Sequence, residues 1–205
     1  MLKVTRGLSD NRPRAYPVAT IGNFDGHHVG HRALLQTVVE TARKARGTSL
    51  VLTFDPHPVK VLAPHVDLRF LTGPEEKLGR LEAAGVDEVV FIEFTPALAA
   101  MSPEEFADSI LCRKLQIAEI FVGQHFAFGK GRAGRIADLE RYGARLGFDV
   151  HPFAPVVLDG GVVSSTGIKQ LIVGGQMEDS ARLLGRWYAV TGDVIQGSQR
   201  GQMLG

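Results

Sequence analysis

Short apolar runs alternate along this chain with segments whose apolar residues recur every three or four positions. That is the pattern of an α/β fold, a parallel sheet with helices on both faces. Val18 to Phe24 reads as the first strand. Gly30 to Arg46 reads as a helix in which Ala33, Leu34, Val38 and Ala42 make one buried stripe and Gly47 a stop. Ser49 to Phe54 is a continuous apolar run suited to a strand covered on both sides. The pattern continues with a helix over 75–84 closed by Gly85, a strand over 88–93, and a helix from the Ser102 cap and Pro103 to about Lys114. A strand over 117–122, a helix over 135–146 and a last sheet strand over 151–157 follow. Two short helices, 165–173 and 179–184, complete the predicted elements.

The stretch Val18-Ala-Thr-Ile-Gly-Asn-Phe-Asp-Gly-His-His-Val-Gly-His31 carries the strongest chemical signal. An apolar strand runs into a glycine turn, and His28 and His31 then stand three apart where a helix begins, hence on one face. A helix N-terminus presents free N–H groups and a positive dipole end, which suits a phosphate. Gly22, Gly26 and Gly30 leave room for close backbone approach. The residue types also permit a partial metal site with His27 and Asp25, which would need a further ligand, or a polar helix start without function.

Charge narrows the partners: 23 Lys and Arg stand against 22 Asp and Glu, so no bulk attraction to nucleic acid or an anionic membrane is expected. The single cysteine, Cys112, forms no internal disulfide, which fits a reducing compartment. No secretory leader is read at the N-terminus, and no apolar run approaches the roughly 18 residues of a membrane span. A cytoplasmic location is the expectation.

Three further segments follow predicted strands or open a helix. Asp55-Pro56-His57-Pro58 leaves the second strand at the edge where ligands bind in open α/β sheets, and it also reads as a rigid turn. Phe126 and Phe128 sit in a glycine-rich loop with Lys130 and Arg132, an aromatic surface beside phosphate-seeking cations or, alternatively, two core residues. Ser164, Ser165, Thr166 and Lys169 open a late helix, with Ser165 or Thr166 as the cap.

The H-x-G-H string (His28-Val29-Gly30-His31), preceded by Gly-Asn-Phe-Asp-Gly, resembles the signature of the nucleotidylyltransferase superfamily. The flanking residues are similar to one branch, the prokaryotic bifunctional riboflavin kinase/FMN adenylyltransferases, or FAD synthetases. The resemblance spans about residues 16 to 200 and includes Phe54-Asp-Pro-His-Pro58, the Val122–Gly134 segment and Ser164-Ser-Thr-Gly-Ile-Lys169. It implies a Rossmann-like nucleotidylyltransferase fold and transfer of AMP from ATP to FMN, giving FAD and pyrophosphate with Mg²⁺. His28 and His31 would stabilise the transferring phosphate. Gly22, Asn23, Phe24, Asp25, Gly30, Ser164, Ser165, Thr166 and Lys169 would hold the nucleotide, and Asp55, Pro56, His57, Pro58, Phe126, Phe128 and Arg132 the flavin.

The chain departs from the family pattern at His27, where an apolar residue is usual, and at His125, Ala127, Gly167 and Lys169, where Asp, Arg, Arg and Arg are usual. These changes motivate a second reading, a paralogue that binds flavin or nucleotide without catalysis. A third is a transferase acting on another phosphorylated acceptor. Residues 1–186 are expected to form the adenylyltransferase domain. From Trp187 the chain resembles the opening of the kinase module: Tyr188 to Gly197 alternates like a strand, and Arg200-Gly-Gln-Met-Leu-Gly205 resembles its phosphate-binding segment. Such a first strand, without its barrel, is expected to be frayed or loosely docked, and kinase activity is not expected.

Overall fold

In the computed structural model, residues 1–10 and 12–195 are described. Six strands form one parallel sheet: β1 (Lys3–Arg6), β2 (Pro17–Ile21), β3 (Thr48–Asp55), β4 (Glu88–Glu93), β5 (Glu119–Gly123) and β6 (Asp149–Phe153), in the order β1-β4-β3-β2-β5-β6. Alternation along the strands sorts their side chains to two faces. Val18, Val51 and Val89 face one helical layer, while Ala19, Ile21, Leu50, Leu52, Val90 and Ile92 face the other. The first layer holds α1 (Val29–Lys44) through Leu34, Leu35, Val38, Val39 and Ala42, and also receives Leu81. The second holds Phe106, Leu111 and Leu139. The expected α/β architecture is present.

Helices α2 (Pro58–Leu62), α3 (Pro74–Ala83) and α4 (Pro96–Ala100) each begin with proline, and α5 (Pro103–Glu105) runs into a π-wound segment, Phe106–Lys114. Ser102 caps α5 in a reciprocal pair with Glu105, as its spacing predicts. Helix α6 (Ile136–Leu146) precedes β6, and α7 (Ser165–Val173) and α8 (Met177–Leu184) pack on a small cluster of Leu71, Val163, Ile168 and Leu184.

Three expectations need correction. The four-residue β1 precedes the predicted first strand. It is held to β4 partly by Glu88, 2% exposed, which binds Arg14 at 2.8 Å, Thr5 at 2.6 Å and Lys3 at 3.1 Å. Burial works against ionisation of Glu88, but these bonds hold its pKa below the ordinary value. Val157 is not part of the last sheet strand. Edge strand β6 ends at Phe153, and β7 (Val157–Leu158) pairs with β8 (Gly161–Val162) in a separate antiparallel hairpin. Residues 188–195 form no strand: Val190, Val194 and Ile195 are exposed, and among the described residues no strand pairs with them. The rest of that expected strand and the segment Arg200–Gly205 lie outside the described residues. Among the described residues no helix is long and apolar enough to cross a membrane.

Candidate active site

Strand order reverses about β2, which has β3 on one side and β5 on the other, and such a switch point opens a crevice at the strands' carboxyl ends. The turn after β2 supplies one wall. Phe24 and His27 both adopt positive φ there, 49° and 43°, a left-handed conformation unfavourable for residues with side chains. The turn delivers His28 to the N-cap of α1, where its Nδ1 accepts a hydrogen bond from His31 N–H at 3.2 Å. The imidazoles of His28 and His31 stack, with centroids 3.6 Å apart and planes inclined by 17°. A Cβ on Gly30 would come within 3.2 Å of the His28 ring, so glycine in H-x-G-H allows that ring to fold back over the helix end.

This pair differs from two side chains simply projecting to a common point. The cap uses His28 Nδ1 as an acceptor, which assigns its proton to Nε2. Burial pushes the His28 pKa down to about 4, helped by the neighbouring His27. His31 is pushed well below its ordinary value by burial and then by His28, and its Nδ1 is buried without a partner among the described residues. Both rings are therefore neutral donors at neutral pH, where the residue types also allow a cationic role. Of α1's first four N–H groups, His31 bonds to the His28 ring and Arg32 to His28 C=O, leaving those of Val29 and Gly30 for a ligand.

Asp25 ties this helix end to that of α7. Its Oδ1 accepts from Leu71 N–H at 2.7 Å and Thr72 N–H at 3.3 Å, and its Oδ2 pairs with Lys169 Nζ at 2.6 Å. Ser165 Oγ donates to Asp25 C=O at 2.8 Å. The α7 cap is Ser164, whose Oγ accepts from Gly167 N–H at 3.1 Å, and not Ser165 or Thr166 as expected. Thr166 is exposed on the first turn. The two helix N-termini thus meet across one carboxylate.

Beside them lies a cavity of about 560 Å³. Gly22 and Asn23 line it at the end of β2, His57 and Pro58 after β3, and Phe126, Phe128 and Arg132 after β5. The Phe126 and Phe128 rings stack at 5.4 Å, and Phe128 also packs on Phe106 in the core, so it serves both roles open to it in the sequence. His125 and Ala127 line the same wall. His57 caps α2 through Nδ1, and burial followed by Lys77 lowers its pKa. Asp55 and Pro56 do not line the cavity; the exposed Asp55 pairs with Arg6 of β1 at 3.2 Å.

The sequence reading passed over Lys77 of α3, whose pKa burial lowers while Asp25 and Asp55 oppose the shift. Phe94, Leu98 and Phe106, passed over as well, complete the apolar walls with Phe54 of the Phe54–Pro58 string. A helical lysine and scattered apolar residues carry no local signal of a site. Among the described residues no group of three or more His, Cys, Asp or Glu is placed to hold a metal ion.

A strand-switch crevice flanked by two helix N-termini defines an α/β nucleotide-binding class. Residues 11–167 match the family model described as FAD synthetase, and the chain belongs to that family. It is 35% identical over 207 residues to the bifunctional riboflavin kinase/FMN adenylyltransferase of Escherichia coli, with all of this chain and 66% of that protein covered. The protein of the same description from Listeria monocytogenes is 33% identical over 189 residues, covering 92% of this chain and 60% of that one. The chain thus spans about two thirds of the length of these curated relatives. A crystal structure described as a macrolide-efflux protein from Streptococcus pneumoniae superposes with a TM-score of 0.81 at 26% identity, covering 92% of this chain and 72% of that one.

Proposed function

We propose that this chain is an FMN adenylyltransferase that transfers AMP from ATP to FMN, releasing pyrophosphate. The observation that carries the reading is the adjacency of two unlike half-sites. One is a pair of helix N-termini joined through Asp25 beside the stacked histidines, and the other an aromatic-walled cavity reached through Gly22 and Asn23. Its volume of about 560 Å³ lies within the rough range of 300–1,000 Å³ typical of small-molecule sites. The family and its bifunctional relatives support the same substrates.

An FMN phosphate oxygen forms a bond to the α-phosphorus of ATP as the bond from that phosphorus to the α–β bridging oxygen breaks, that oxygen leaving with pyrophosphate. Such a displacement needs alignment and charge neutralisation more than covalent help. His28 Nε2–H donates to a phosphate oxygen, and the free N–H groups of Val29 and Gly30 meet the charge that develops. The first turn of α7, with Ser165, Thr166 and Lys169, takes the departing pyrophosphate end. Phe126, Phe128 and Pro58 enclose the isoalloxazine ring, and Arg132 offers a cation at its rim. Mg²⁺ would arrive carried by the triphosphate, and Asp25, whose Oδ1 accepts from Leu71 and Thr72 N–H, would meet it only where Oδ2 exchanged its Lys169 partner. Bound there, Mg²⁺ would neutralise phosphate charge.

The test is Mg²⁺-dependent pyrophosphate release from ATP and FMN, with FAD identified chromatographically and riboflavin as the parallel acceptor. FAD from FMN supports the proposal. Binding of FMN and ATP without turnover replaces it with the non-catalytic paralogue, a reading favoured by Gly167 and by the Lys169 ammonium held on Asp25. Release of pyrophosphate with another phosphorylated acceptor, and none with FMN, identifies the third reading. Residues 1–186 are assigned to this activity and 187–205 to the start of a following module. Their location in the cytoplasm is part of the same proposal.

A further inference from the structure

On the flank between α1 and α3, away from the crevice, lies a second cavity of about 340 Å³ lined by His27, Arg32, Gln36, Arg80, Ala83 and Ala84. Its cations outnumber its anions. Arg80 reaches Glu76 Oε1 through Nε at 2.7 Å and Nη2 at 2.6 Å. Arg186 reaches the same oxygen at 3.3 Å and Gly26 C=O at 2.9 Å. Arg32 donates to Leu184 C=O at 3.2 Å and lies against the backbone of Gly185, where a Cβ would stand 2.0 Å from its Nη2. Two of these guanidinium groups thus share the Glu76 carboxylate and Arg32 reaches only backbone carbonyls among these contacts, while Glu40, further along α1, is held by Gln36 at 2.8 Å.

One buried polar atom of the lining also lacks a partner among the described residues, Nε2 of His27, a residue only 4% exposed; outside the lining, so does Nε of the neighbouring Arg186. An imidazole buried without a hydrogen bond is unfavourable unless something compensates it. Burial and the three arginines push the His27 pKa down to about 4, and burial followed by Arg80 lowers that of Arg186. An anion in the cavity would give the His27 ring a partner and offset the surrounding positive charge.

We propose that this cavity is a binding site for a phosphate-type oxyanion, separate from the nucleotide crevice. Planar guanidinium forks match phosphate oxygens in pairs, and among the described residues no hydrogen bond reaches Arg80 Nη1. The separation follows from helix geometry. His31 faces Phe24 and His28 in the crevice, while its neighbour Arg32 turns to the carboxyl end of α8. Inorganic phosphate or pyrophosphate and the phosphate tail of a nucleotide share this chemistry.

The experiment is titration calorimetry of the full chain with orthophosphate, pyrophosphate and ATP, each alone. The proteins compared are the wild type, Arg80→Gln, Arg32→Gln and Lys169→Ala, with far-UV circular dichroism verifying the fold. The expected result is a pyrophosphate event weakened at least about tenfold by either arginine change and left intact by Lys169→Ala. A parallel loss for ATP assigns the site to a nucleotide tail; loss for inorganic anions alone assigns it to a free anion. Absence of any event, an event unmoved in both arginine variants, or one lost only with Lys169→Ala overturns the proposal. Binding is the readout, so the outcome is independent of whether the crevice turns over FMN.

Discussion

At the histidine end of the crevice, polar side chains hold one another: His28 caps His31, Asp25 gathers Leu71, Thr72 and Lys169, and Ser165 bonds back to Asp25. At the apolar end, Phe54 meets Phe94 edge to face at 5.4 Å and Phe126 stacks on Phe128. The first end is preorganised by directed bonds, so removing one group disturbs several others. The second is shaped by packing, where losses stay local and scale with area. This contrast predicts steep, catalytic effects at one end and graded, binding effects at the other.

The largest effect is expected for His28→Ala, which removes both the Nε2 donor and the α1 cap. FAD formation from FMN and Mg-ATP should fall by about 100-fold or more, as for loss of a transition-state donor. The melt should report about 1 kcal/mol of lost cap. Steady-state turnover and a thermal melt measure the two separately, and unchanged turnover would break the assignment of this end to chemistry.

Acid should expose the same contrast. His27 and His28 have an ordinary pKa of 6.5 and a folded value of about 4, so the unfolded chain binds their protons first. Their contribution to stability is present above pH 6.5, is lost as pH falls toward 4, and then levels. Each amounts to about 3 kcal/mol over that window. Denaturant midpoints against pH should show the slope, and His27→Val should flatten it. A slope identical in that variant would mean that His27 does not supply it.

Phe126→Ala should act at the apolar end, raising KM for FMN by about tenfold with kcat little changed, the signature of lost uniform binding. A fall in kcat at constant KM would mean that the two ends are coupled and the contrast is wrong.

The order of strands and helices was legible because burial on two faces imposes periodicity on local sequence. H-x-G-H was legible because its residues are contiguous. What was hidden depends on distant partners. Asp25 reads as a ligand-facing residue of the turn, yet its Oδ1 accepts from Leu71 N–H, 46 residues away. Whether Ser164 or Ser165 caps α7 is decided by the use of Ser165 on Asp25, which no spacing reveals. Strand β1 is short, and its buried Thr5 is explained by Glu88 rather than by apolar alternation. The alternation after Tyr188 points the other way: over residues 188–195 a strand-like pattern forms no strand, because pairing needs a partner that local sequence does not specify.

The smallest effect is expected at Gly167, on the first turn of α7, where the family pattern carries arginine. Gly167→Ala tests the backbone alone. Alanine is favoured over glycine in a helix by up to about 1 kcal/mol, and the added Cβ would stand 3.3 Å from Ser164 Oγ, a tight contact with the capping atom. A gain of a few tenths of a kcal/mol in a chemical melt is therefore expected. Gly167→Arg adds the guanidinium and should lower KM for ATP severalfold beyond the alanine variant, because a charged fork at this helix end adds a phosphate contact. Equal KM values in the two variants would mean that the first turn of α7 does not face the triphosphate, and the histidine end would then hold its nucleotide through α1 alone.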